Sequence, residues 1–135
     1  MKIVTISDTH GELPFNLPEG DVLVVAGDVC PVVDHRVNHQ KWWLENRFNL
    51  WLDQLPYKEN VVVAGNHDFI FQKAPELVPD LHCHYLENSE VVIDGVKFYG
   101  YPQTPKFGNW AFMKYGEDLE VIASNVPDDT YVLIT

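Results

Sequence analysis

The chain has 135 residues, 46% of them hydrophobic and 13% aromatic, enough for one packed domain and too short for two. Nine Lys+Arg against 20 Asp+Glu leave a formal charge of −11, which argues against a surface that coats nucleic acid or docks on anionic membranes. No apolar run approaches the roughly 18 residues of a membrane span, charge interrupts the N-terminal apolar run too early for a signal peptide, and the two cysteines, Cys30 and Cys83, make no disulfide framework, so a reducing cytoplasm is expected.

In chain order, residues 2–6 (KIVTI), 21–26 (DVLVVA) and 60–64 (NVVVA) are short β-branched runs predicted as strands. They are continuous rather than alternating, as in parallel strands covered on both faces. Residues 11–20 hold two prolines and two glycines and read as a loop. Residues 34–55 carry Trp42, Trp43, Leu44, Phe48, Trp51, Leu52 and Leu55 near helical spacing and stop at Pro56. A helix there lets the second and third strands form a right-handed parallel crossover. Further on come a helical turn at 69–74, a short strand at 81–86 and a hairpin at 91–99 about Asp94-Gly95. A Pro/Gly/aromatic loop at 101–113, a helix at 116–125 and a last strand at 131–134 complete the reading.

Three polar clusters follow the first three strands: Ser7-Asp8-Thr9-His10, Gly27-Asp28 and Gly65-Asn66-His67-Asp68. Parallel sheets bind ligands at the carboxyl ends of their strands, so the three are expected to converge. Asp8, His10, Asp28 and Asn66 are oxygen and imidazole donors, the set that suits hard or borderline divalent metals. Asp8 and His10 are two apart, which in an extended chain points them the same way.

The order D-x-H, G-D, G-N-H-D, each after an apolar strand, resembles the calcineurin-like metallophosphoesterases. Residues 100–112 further resemble the branch containing the metallophosphoesterase-domain brain proteins and their bacterial and phage relatives. The resemblance implies an α/β fold, an αββα sandwich of two mixed sheets flanked by helices. This chain would be a single domain, residues 1–135, forming its N-terminal portion and incomplete at the C-terminus. It implies hydrolysis of a phosphomonoester or phosphodiester, a nucleotide among the candidates, by a water activated by two divalent metals. Manganese is favoured over iron, zinc, nickel and magnesium. Asp8 and His10 would hold the first metal, Asp28 would bridge, and Asn66 would hold the second. His67 would face the scissile phosphate as acid or charge stabiliser, and Asp68 would orient it.

The family pattern also has a histidine after the strand that here ends at Ile134-Thr135, in a Thr-His-x-Pro-Pro context, and a later Gly-His-x-His. The chain stops one residue before the first of these, and His82 and His84 have no matching motif. Without the C-terminal part of the family domain, apolar sheet surface is expected to be exposed and to seek a second copy or a complementing C-terminal segment. The alternative function is then a catalytically impaired metal-binding scaffold or an oligomerising fragment. A nucleotide-binding module without chemistry is weaker, for no Gly-rich phosphate loop is present.

Each assignment has a plainer reading. Asp and Asn at strand ends also serve turns and caps, and Asp68 could be the N-cap of the next turn. Trp42, Trp43, Phe48 and Trp51 read as helix core. Phe107, Trp110 and Phe112 either line a pocket or pack their own loop. Cys30 reads as a buried inert thiol. His35 and His39 are expected on the solvated face of the helix start.

Overall fold

The three β-branched runs form β1 (Ile3–Ile6), β2 (Val22–Ala26) and β3 (Glu59–Val63) in a computed structural model that describes residues 1–135. All pair in parallel, and β4 (His84–Tyr85) extends the sheet in the order β1-β2-β3-β4. β4 is shorter than the 81–86 run suggested. The His82 amide is drawn off to Asn49 Oδ1 at 2.9 Å, so the chain joins the ladder two residues later.

Alternation along these strands divides the core in two. Leu23, Val25, Val62 and Ala64 face one side, where they meet Trp43, Leu44, Phe48, Trp51 and Ile70. Val22, Val24, Val61 and Val63 face the other, where they meet Ile93, Phe98 and Ile134. Both faces are therefore covered, which is why the runs are continuous. Each such side chain contributes roughly 1.5–3 kcal/mol by leaving water.

The helical layer is one continuous rod: α1 (Val37–Trp43), a π-helical turn (Leu44–Phe48) and α2 (Asn49–Gln54). The π turn brings residues five apart onto one face. Trp43 and Phe48 stack with ring centroids 5.6 Å apart, and Phe48 stacks on Trp51 at 5.7 Å. The helix starts at Val37 rather than near residue 34 because the Asp34 carboxylate accepts the Arg36 N–H at 2.9 Å, a turn that competes with helix. Trp51 Nε1 and the Tyr57 hydroxyl donate to the Pro14 and Pro18 carbonyls at 2.9 and 2.6 Å, pinning the 11–20 loop. Past β3, α3 (Phe69–Lys73) buries Phe69, Ile70 and Phe71.

The second sheet is β5 (Ser89–Ile93), β6 (Val96–Gly100) and, after two short strands, β9 (Val132–Ile134), with β5/β6 antiparallel and β6/β9 parallel. Asp94 and Gly95 have φ of 49° and 79°, the left-handed pair that a two-residue hairpin requires. A Cβ on Gly100 would lie 2.5 Å from Val63 Cγ2 and 2.8 Å from Leu86 Cβ, so the two sheets close on each other there. The 101–113 stretch, read as plain loop, also contains β7 (Thr104–Pro105), which pairs with β8 (Met113–Lys114). α4 (Gly116–Ser124) buries no residue. Val92 and Leu133, which alternate to the outer face of the second sheet, remain about half exposed. No helix is long and apolar enough to cross a membrane.

Candidate metal centre

Because β2 lies between β1 and β3, Asp28 falls between the Asp8–His10 cluster and the Asn66–Asp68 cluster. The strand ladders continue into these loops. The Asp8 amide donates to Gly27 O at 3.0 Å, His10 to Asp28 O at 2.9 Å, Gly11 to Val29 O at 2.8 Å, and Gly27 to Val63 O at 2.9 Å. This network holds Asp8, His10 and Asp28 in left-handed backbone, with φ of 54°, 48° and 53°. Such conformations cost about 1 kcal/mol or more each and persist where the surroundings over-determine them. Asp8 and His10 therefore converge through two tight turns, not through the extended chain expected from their spacing.

The result is a group of three donors. One ligand atom from each of Asp8, His10 and Asp28 lies within 4.8 Å of the others. His10 Nε2 is 4.0 Å from Asp28 Oδ2, and buried His10 Nδ1 has no hydrogen-bond partner. Asp8 is open to solvent and Asp28 is buried, accepting the His67 N–H at 2.8 Å. Asp8, Asp28 and Asn66 line one cleft of about 370 Å³, which Phe107, Met113 and Thr135 also line. Gly65 makes the close approach feasible: a Cβ there would overlap the Asp28 amide nitrogen and Oδ1. The donor set fits one divalent cation at Asp8, His10 and Asp28. Asn66 lines the same cleft beside Asp28.

Asp68 does not touch the His67 ring. Its carboxylate is fully buried and accepts three backbone amides: Cys30 at 2.9 Å, Gly65 at 2.7 Å and Val29 at 3.1 Å. It makes no side-chain cap to α3 either. It clamps the loop after β2 to the loop after β3. Burial pushes its carboxyl above the ordinary value, the three amides pull it back down, and nearby Asp28 pushes it up. The Cys30 thiol is pushed well up by burial and then by Asp68, which leaves it protonated and inert.

The neighbour of His67 is His35. His67 Nδ1 lies 3.1 Å from His35 Nε2. His35 is not on the solvated helix face: it packs on Phe69 with centroids 5.1 Å apart and meets Trp110 edge-on at 6.0 Å. Burial first, and His67 next, push its pKa below the ordinary value. Trp110 covers His67 at 4.3 Å, and the Ala111 amide donates to Asn66 O at 3.0 Å, which ties the aromatic loop to the centre. Phe107 lines the cleft and is 75% exposed, whereas Phe112 is core. His39 lies 4.0 Å from Asp34 and stacks on Trp42. His82 and His84 pair instead with Asp53 and Glu59, both at 2.7 Å.

Gln40 was not legible as a site residue. Wholly buried on α1, it donates from Nε2 to His67 O at 2.8 Å and accepts the Ile70 N–H on Oε1 at 2.9 Å. Its only sequence signal is an amide on the otherwise apolar face of a helix.

The calcineurin-like phosphoesterase family model matches residues 1–129. The chain belongs to the calcineurin-like phosphoesterase family. Metallophosphoesterase domain-containing protein 1 of Homo sapiens is 31% identical over 164 residues, covering 99% of this chain and 47% of that protein. A UPF0046 protein of Caenorhabditis elegans is 34% identical over 152 residues, covering 100% of this chain and 50% of its own length. Probable rhamnogalacturonate lyase C of Emericella nidulans is 32% identical over 154 residues, the match taking in all of this chain and 13% of that protein. The chain thus spans about half the length of the first two relatives and a small part of the third. Membership supports metal-dependent phosphoesterase chemistry in general and agrees with the donor group at the strand ends.

Proposed function

We propose that this chain carries a phosphoester-hydrolysing centre at the ends of β1, β2 and β3, acting on a phosphomonoester or phosphodiester. The observation that carries the reading is the convergence of Asp8, His10 and Asp28 within 4.8 Å in strained backbone. Asp8, His10 and Asp28 would hold one cation, and Asp28 with Asn66 would hold a second. A divalent pair, manganese favoured, supplies positive charge for phosphate oxygens and acidifies an attacking water. The protein's part is positioning. Asp28 fixes the His67 amide, Gln40 fixes its carbonyl, and Trp110 covers its ring. That leaves His67 Nε2 to give a proton to the leaving oxygen. Phe107, exposed along the cleft, offers a surface on which a nucleobase can stack, which favours a nucleotide among phosphate esters. Two cysteines without a disulfide support a cytoplasmic setting.

The short donor set for a second cation favours one other reading, a scaffold that binds metal without turnover. The test is hydrolysis of bis-p-nitrophenyl phosphate with added manganese by the 135-residue chain and by His67→Ala. Manganese-dependent turnover that collapses in the variant, with metal content unchanged, supports the proposal. Metal binding without turnover supports the scaffold.

A further inference from the structure

We infer that His35 is the positioning residue of His67: its ring, not the Asp68 carboxylate, sets the orientation and tautomer of the His67 imidazole. This rests on the proposed role of His67 as proton donor. The backbone of His67 is held on both sides, its N–H by Asp28 and its carbonyl by Gln40. What remains free is rotation of the ring. Trp110 confines that ring to a slot but offers no directional bond to either nitrogen. Both Asp68 oxygens are occupied by the Val29, Cys30 and Gly65 amides. The one polar group at hydrogen-bond distance from a His67 ring nitrogen is His35 Nε2, 3.1 Å from Nδ1. His35 is itself held by Phe69 and Trp110, so it is a rigid partner.

Two imidazole nitrogens at this distance share one hydrogen. A neutral His35 protonated on Nδ1 presents Nε2 as an acceptor, and His67 then donates from Nδ1–H. When the His67 imidazolium gives its Nε2 proton to a leaving oxygen, the Nε2–H bond breaks and an O–H bond forms. The neutral ring that remains already carries its hydrogen on Nδ1, still bonded to His35. Nε2, the nitrogen not engaged by His35, is thus the one that exchanges protons, and no ring flip intervenes. Neutral His67 should accordingly be the Nδ1–H tautomer, which a free histidine side chain disfavours.

The test is long-range proton–nitrogen correlation spectroscopy on the ¹⁵N-labelled, metal-free 135-residue chain, above the imidazole titration range. Wild-type His67 should appear as Nδ1–H. His35→Ala should revert it to a mixture dominated by Nε2–H, and His35→Gln, whose amide oxygen can accept the same bond, should retain Nδ1–H. An Nε2–H His67 in the wild type, or no change in His35→Ala, overturns the inference. In the manganese-loaded chain, His35→Ala should lower kcat for phenyl phosphate about tenfold more than for p-nitrophenyl phosphate, because only the poorer leaving group needs the proton. KM should stay unchanged and His35→Gln should recover the loss, whereas equal losses on both esters count against positioning. A wild type without turnover would sink the phosphoesterase proposal alone, and the spectra would still decide the His35 assignment.

Discussion

Replacing Gly65 with Ala probes the point where backbone economy and metal chemistry meet. The added Cβ would overlap the Asp28 amide nitrogen and Oδ1 and lie 2.8 Å from its Cγ. To restore ordinary van der Waals separation, Asp28 must retreat by about 1 Å. Its neighbours resist: the Asp28 carbonyl accepts the His10 amide and its carboxylate accepts the His67 amide. Forced overpacking of this kind costs about 1–3 kcal/mol, or a fall in Tm of roughly 4–12 °C for a domain of this size. The larger effect is on the cation, because Asp28 belongs to both proposed donor sets, and an ångström of misplacement can cost about a hundredfold in function. Calorimetric titration with manganese should show affinity at least about tenfold weaker, and thermal unfolding followed by circular dichroism should show the lower Tm. Gly116→Ala is the control, since a Cβ there meets nothing within 4 Å. If Gly65→Ala melts with the wild type and binds manganese equally, the close approach of the two loops is not what the centre depends on.

Asp68→Asn should destabilise the fold by about 1–3 kcal/mol, because an amide NH₂ must face at least one buried backbone donor. Chemical denaturation reads this, and unchanged stability would mean the three amide bonds are dispensable. Gln40→Leu leaves the His67 carbonyl and the Ile70 amide unpaired, so a loss of about 2–4 kcal/mol is expected in the same assay. A neutral outcome there would show that the helix does not brace the His67 loop. His10→Ala should weaken manganese binding by more than the roughly 10- to 100-fold that loss of an outer-shell partner costs, with little change in Tm of the metal-free chain. Unaltered affinity by calorimetry would remove His10 from the donor set.

The strands and their shared end were readable because burial on both faces demands unbroken β-branched runs, and residues 22–26 and 61–64 are such runs. The order of the polar clusters then placed Asp8, His10, Asp28 and Asn66 at one edge. Other features depend on contacts between residues far apart in the chain, which no local pattern encodes. Asp68 follows His67 directly, yet its carboxylate reaches Val29 and Cys30, nearly forty positions upstream. His35 sits beside a helix start, where polar residues are usually solvated, and only the packing of Phe69 and Trp110 brings it to His67. Gln40 occupies a core position on α1, and its two bonds run to the loop after β3. Asp8 and His10 converge through left-handed φ values, which are not visible in residue spacing. The β7–β8 pair has no local signature, because two-residue strands carry no periodicity.

The central claim is that Asp8, His10 and Asp28 hold a divalent cation at the strand ends. Anomalous diffraction from crystals of the 135-residue chain soaked in manganese tests it directly. A strong peak is expected within bonding distance of all three side chains, with any second peak between Asp28 and Asn66. A peak confined to surface carboxylates, with the space between Asp8, His10 and Asp28 empty, would contradict it.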